Sequence, residues 1–375
     1  MRTGIVALIL AAALALAPAA AAKGDTFVYV WDGVPGVLHV FTLDTQAGTL
    51  DTLEGSPFLG LDTLAPLNGW GMTLEAARLN NQALLFSGGA LAVTMWTVGD
   101  DGVPVPQLVT GAPLLVPTAP SAGQATLRIG KRLFVYTSQN TTTGIRGFEF
   151  FVKGGPGFFT DLVGDTLTGD TGNTPIGIDA VKRRVVVADQ SGTLSSFTLN
   201  ASGQLTAAPG SPFPSPATGS YNCQLEPSAK RVYVADAGPL VHVLSVDKQG
   251  VLAPIENSPF DTGLLGGGAG VEVLKKPFVI AFDLDATTPG DPLVSVLRRN
   301  SAGQLALVGE PQVAPGMTAI DVHAVDSTAT WLVVASDTDD HIQVLRLDLN
   351  AGTATQTDDI AVDFTDINGA AIVKP

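Results

Sequence analysis

The chain has 375 residues, 45% of them hydrophobic and 15% charged, with 42 glycines and 25 prolines. Charged residues fall well below the roughly 25% of an average globular protein while apolar ones are plentiful, which excludes a disordered chain and supplies a large core. Lys and Arg number 20 against 35 Asp and Glu, a formal net charge of −15, so phosphate backbones and anionic lipid surfaces are repelled and nucleic acid is not an expected partner.

Residues 1–22 read as a secretory signal peptide: Met1-Arg2-Thr3, an apolar run from Gly4 to Ala17, then Pro18 and four alanines before Lys23. The apolar run is too short to cross a hydrocarbon layer of ~30 Å as a helix, and Ala20-x-Ala22 offers small residues for cleavage after Ala22. The expectation is an exported protein, periplasmic or secreted, with no membrane insertion once the signal is removed. Cys223 is the single cysteine, so no intrachain disulfide forms and stability must come from burial and strand pairing.

From residue 23 onward one pattern recurs seven times. A β-branched or aromatic strand is followed by a polar turn, an alternating strand, a Gly turn and a third strand running toward Ser-Pro-Phe. The copies begin at Phe27, Leu84, Leu133, Val185, Val232, Phe278 and Trp331. Gly55-Ser56-Pro57-Phe58, Gly210-Ser211-Pro212-Phe213 and Asn257-Ser258-Pro259-Phe260 close three of them. Gly48, Gly203, Gly250, Gly303 and Gly352 fall in the second turn, where a short hairpin loop needs positive φ. A further short strand precedes every copy but the first: Met72 to Ala76, Ala125 to Ile129, Gly177 to Val181, Cys223 to Glu226, Val271 to Leu274 and Ala319 to His323. The missing one is found at the other end, where Ala370 to Pro375 matches Val271 to Pro277 in apolar pattern and in its closing Lys-Pro.

Units of four strands and about 40 to 50 residues point to an all-β, seven-bladed β-propeller with four-stranded antiparallel blades. The C-terminal strand closes the ring by pairing with the first N-terminal strand, so blade 1 comprises 27–58 plus 368–375 and the propeller spans 23–375. Alternation in Leu38, Val40, Phe41 and Leu43, matched by Val241, Val243, Leu244 and Val246, predicts packing between neighbouring blades.

The unit Arg231-Val-Tyr-Val-Ala-Asp236, Val241-His-Val-Leu-Ser-Val-Asp247, Gln249-Gly-Val-Leu252 and Asn257-Ser-Pro-Phe260 resembles those of the lactonase-type, YVTN-related bacterial propellers, and the likeness runs over the whole mature chain. The resemblance implies a 6-phosphogluconolactonase-like or muconate-lactonizing activity, with Arg, His and Glu on the central face. The stretches leading into the inner strands, Gly69-Trp70-Gly71, Ala122-Gly123-Gln124, Thr174-Pro175-Ile176, Ser220-Tyr221-Asn222, Gly268-Ala269-Gly270 and Pro315-Gly316-Met317, contain no Arg or His. Lactone opening needs a proton acceptor, and a phosphorylated substrate needs cations.

Asn68, Trp70, Gln124, Thr174, Tyr221, Asn222 and Met317 are therefore the candidate ligand-binding residues, rimming the mouth of the central channel with aromatic and amide groups. The leading expectation is a monomeric platform for a small molecule or an envelope or extracellular protein at the loop face, without the family's catalytic residues and without a cofactor or metal. The alternative is a lactone hydrolase drawing on loop carboxylates such as Asp62 or Asp261. A third reading is a Ca²⁺-binding structural propeller, suggested by Asp337-Thr338-Asp339-Asp340 and Asp283-Leu284-Asp285, although neither has the Gly and distal Glu of a Ca²⁺-binding loop.

Four further expectations concern single side chains. Asp32, Asp189, Asp236, Asp283 and Asp337 recur at the end of the first strand of their copies, where each is expected to cap its own turn. His39 and His242 are expected to be solvent-facing on equivalent strands, and His323 and His341 to be isolated. Cys223 is expected to be a buried small residue. The glycine run Gly263 to Gly270 reads as an inter-blade loop.

Overall fold

The computed structural model describes residues 25–375, except 34–35, 61–73, 89–91, 108–113, 116–120, 140–143, 152–157, 162–174, 190–191, 218–221, 266–268, 285–287 and 289. Residues 1–22, the expected signal peptide, lie outside the described residues. The rest forms seven antiparallel sheets, three of four strands and four with a short fifth strand, with no helix among the described residues. The inner strands are Leu74–Leu79, Ser121–Ile129, Pro175–Val181, Cys223–Leu225, Ala269–Val273, Val322–Val325 and, for blade 1, Ile367–Val373. This last strand pairs antiparallel with Thr26–Asp32, from Phe27 opposite Val373 to Asp32 opposite Ile367. The ring is closed by main-chain bonds between the two ends of the chain, as expected.

Strand alternation divides each blade between two neighbours. Phe27, Tyr29 and Trp31 pack toward blade 2 with Leu85 and Trp96, while Val28 and Val30 pack toward blade 7 with Val333 and Val344. Leu38 and Val40 join the first cluster, and Phe41 and Leu43 the second. Blade 5 repeats the split, with Val241 and Val243 facing blade 6 and Leu244 and Val246 facing blade 4. Each junction between blades is thus a hydrophobic core of its own.

Two boundaries differ from expectation. Ser-Pro-Phe does not end the outer strand: in blades 1, 4 and 5 it is a cis Ser-Pro turn after which Phe58–Leu59, Phe213–Pro214 and Phe260–Asp261 pair back onto the third strand. The serine hydroxyl fills the gap, accepting Val40 N at 2.8 Å from Ser56, Ser196 N at 3.1 Å from Ser211 and Val243 N at 2.9 Å from Ser258. In blade 7 the inner strand is Val322–Val325 rather than Ala319 to His323. Thr318 N and Ala319 N donate to the Asp339 carboxylate, which holds that stretch as a loop.

The hairpin glycines all have positive φ, as predicted. They also admit the neighbouring blade: a Cβ on Gly102 or Gly203 would collide with the ring of Phe27 or Phe134. Tyr29 and Tyr136 donate their hydroxyls to the carbonyls of these two glycines at 2.8 and 2.7 Å. Gly203→Ala, which combines a φ of 83° with that collision, is expected to cost about 1–3 kcal/mol. Urea melts of the two proteins, compared at equal slope, measure it.

Candidate functional site

An inner strand flanks the axis with one unpaired edge, and its alternate side chains point into the channel. On six of the seven strands a polar residue stands between two apolar ones: Glu75, Thr126, Asp179, Gln224, Glu272 and His323. Each is half-buried and its strand neighbours are mostly buried, the accessibility of a channel wall. Ile367–Val373, which completes the ring, carries no titratable group.

These side chains bond from blade to blade. The Asp179 carboxylate accepts Leu225 N on the next inner strand and its own neighbour Ala180 N, both at 2.6 Å. Gln224 accepts Val273 N at 2.7 Å and donates to Glu272 Oε2 at 2.7 Å. Glu272 in turn lies 3.7 Å from His323 Nε2, whose ring stacks on Phe282. Thr126 donates to Glu75. Desolvation, followed by the charges of Asp179 and Glu272, pushes the Glu75 carboxyl up to about 8. Desolvation also raises Asp179 to about 6, with Glu272 adding to it against the two backbone donors.

One step nearer the loop face, on the same side of their strands, are Gln124, Asn222 and Asp321. Gln124 is 2% exposed, and neither end of its carboxamide has a hydrogen-bond partner; Asn222 Oδ1 is likewise buried and unbonded. The two are the residues of the expected rim that the structure brings to the channel. Met317, expected beside them, is instead buried in the core between blades 6 and 7 with Ala314 and Ile320. Asn68, Trp70, Thr174 and Tyr221 lie outside the described residues, as do Asp62 and Asp285.

The histidine expectations need correction. His39 and His242 are 9% and 4% exposed rather than solvent-facing. His242 Nε2 bonds Asp236 Oδ2 at 2.9 Å, and His39 Nε2 lies 3.8 Å from Asp32. The third strand tucks these rings under the loop face, where the carboxylate of the same blade receives them. His323 and His341 are not isolated either, since His341 Nδ1 bonds Asp359 at 2.6 Å. Asp236 caps its own turn through Gly238 N, as expected. Asp32 and Asp337 instead hold the crossing between blades, accepting Thr365 N, Asp366 N and Ile367 N. Cys223 is buried against Val186 O, and burial pushes its thiol far up. Among the described residues no three His, Cys, Asp or Glu stand close enough to hold a metal ion.

Charge is segregated along the axis. Every Lys and Arg whose side chain is described lies at the end where inner strands turn into second strands or third into outer. Several stitch neighbouring blades there: Arg132, Arg184 and Arg231 donate to Ala201 O, Asp247 O and Ser301 O, and Lys182 and Lys276 to Ser228 O and Thr328 O. The opposite end and the channel hold carboxylates without a described Lys or Arg.

No protein-family model matches the chain, and no curated protein matches it. Solved structures share its fold. A candidate 6-phosphogluconolactonase from Bacteroides fragilis is 16% identical over 94% of this chain and 98% of its own, with a TM-score of 0.65. A protein from Lactobacillus plantarum gives 16%, 93%, 99% and 0.65. The periplasmic gluconolactonase of Pseudomonas aeruginosa gives 14%, 92%, 98% and 0.63. The chain thus shares the fold of these proteins, a seven-bladed β-propeller.

Both raised carboxyls bind protons in the folded chain that they release when unfolded. Their contribution to stability is therefore full below the unfolded values near 4 and is lost as pH rises through about 6 for Asp179 and about 8 for Glu75. Stability measured by urea melts is expected to fall between pH 5 and pH 9, and Glu75→Gln to flatten the upper half of that fall. An unchanged pH profile in this variant would contradict the assignment.

Proposed function

We propose that the protein is an exported propeller that binds a small molecule at the loop-face mouth of its central channel and does not process phosphorylated lactones. The observation that carries the reading is the belt from Glu75 to His323, three carboxylates without a described Lys or Arg. A phosphorylated sugar acid needs cations at its phosphate, and here it meets like charge in a desolvated wall. Export is supported by the Met1 to Ala22 signal pattern and, among fold neighbours, by the periplasmic gluconolactonase.

A second reading, hydrolysis of an uncharged lactone, is favoured by one feature. Glu75 and Asp179 exchange protons near neutral pH, the range a general base needs, and Glu272 with His323 forms a neighbouring acid–imidazole pair. The groups concerned lie in the channel rather than among loop carboxylates; Asp261 spends Oδ1 on Gly263 N.

Thermal shift of residues 23 to 375 against neutral lactones, sugars, small organic amines and 6-phosphogluconate, followed by turnover assays, separates the two. The expected result is stabilisation by a neutral or cationic compound, none by the phosphorylated acid and no turnover. Turnover of a neutral lactone lost in Asp179→Asn establishes the hydrolase, and a response to 6-phosphogluconate overturns the proposal.

A further inference from the structure

The chemistry of the channel narrows what it accepts, provided that the channel is the ligand site proposed above. Three observations converge. Glu75, Asp179 and Glu272 come from the inner strands of blades 2, 4 and 6; contacts run from Asp179 to Leu225 N and from the adjoining Gln224 to Glu272, and the charges of Asp179 and Glu272 act on Glu75. The groups brought near them by the other inner strands are Thr126, Gln224, His323, the buried Cys223 thiol and, one step nearer the loop face, Asp321, itself acted on by the charge of Asp337, while Ile367–Val373 brings no charge. Independently of these, the buried Gln124 carboxamide points to the same side of its strand as Thr126 and has no partner for either its oxygen or its nitrogen.

We infer that the channel binds a small organic ammonium compound bearing a hydroxyl group, its cationic nitrogen beside Glu75, within the field of Asp179 and Glu272, and its hydroxyl at Gln124. A cation there replaces the mutual repulsion of like charges with attraction, in a wall where screening by water is weak. Glu75 is the best placed to contribute, because among the described residues only Thr126 engages it, whereas Asp179 holds two backbone N–H groups and Glu272 holds Gln224 and His323. The carboxamide completes the fit, since it accepts from or donates to a hydroxyl with whichever end is offered. An anion of the same size meets three carboxylates, and a neutral diol gains the amide contact without the charge.

Three probes of one carbon skeleton test this by titration calorimetry on residues 23 to 375: 4-aminobutan-1-ol, butane-1,4-diol and 4-hydroxybutanoate. The amino alcohol is expected to bind at least about tenfold tighter than the diol, the scale of one charge-assisted hydrogen bond, and the acid weakest. Glu75→Gln and Asp179→Asn are each expected to weaken the amine by a similar factor, and Lys276→Ala, on the opposite end, to leave it unchanged. Wild-type protein alone gives a second readout. Binding a cation ionises the carboxyls, so near pH 7 protons are released, seen as a dependence of the heat on buffer, and affinity rises from pH 6 to pH 9. Binding of the diol or the acid as tight as that of the amine, binding of none of the three, or an amine affinity unmoved by pH overturns the inference. A neutral sugar or lactone that still binds in that event, and is weakened by Glu75→Gln, leaves the channel as a ligand site with a different chemistry. A ligand insensitive to every channel variant places the site elsewhere and removes both.

Discussion

Seven sheets arranged around an axis leave seven inner strands, each with a row of backbone N–H and C=O groups that no strand pairs. Unpaired buried main-chain groups are costly, and an open edge invites other chains. Much of the polar chemistry in this molecule answers that constraint. Asp179 takes up Leu225 N and Gln224 takes up Val273 N, each reaching one blade onward. Asp179 is therefore first of all an acceptor for a strand edge, and its power to bind a ligand is what is left after that duty. Glu75 is distinctive because it has so little such duty.

The same solution recurs at both ends of the blades with different side chains. At the loop face Asp32 and Asp337 accept the N–H groups of the crossing chain. At the turn end Arg and Lys donate to the carbonyls of the next blade. Carbonyls call for cations, so the confinement of Lys and Arg to one end follows from the carbonyls exposed there, whereas carboxylates accept N–H groups at both ends, as Asp326 does from Thr330 N and Trp331 N at the turn end. The cations are committed to stitching, which leaves the channel mouth negative.

The fold was legible because its signals are local and repeated: a Gly at each hairpin, two-residue alternation, and Ser-Pro-Phe. Ring closure was legible too, since Ala370 to Pro375 carried the pattern missing before Phe27. The proposed channel belt lies one step deeper than the expected rim. Gln124 and Asn222 were found because they open the inner strands, whereas the belt behind them shows in the sequence only as a polar residue inside apolar triplets such as Ile178-Asp179-Ala180 and Val271-Glu272-Val273. Met317 misled because a residue in a connecting loop is not thereby exposed; the loop turns its side chain back into the core. His39 and His242 misled because polar substitutes at equivalent strand positions suggested solvent, when the partner was an Asp brought beside them by the fold.

The closing strand has a bearing on how the chain comes into being. Thr26–Asp32 is among the first strands to be synthesised and Ile367–Val373 is the last. Until that final segment emerges, blade 1 presents a bare sheet edge and the junction of blades 1 and 7 lacks Ile367 and Ile372. Blades 2 to 6 are built from contiguous sequence and can form in order, but completion waits for a contact between segments more than 300 residues apart, the slowest kind of encounter for a chain to make. The design keeps the nascent polypeptide open at one seam until residues 367–373 have been made, with that strand acting as the latch.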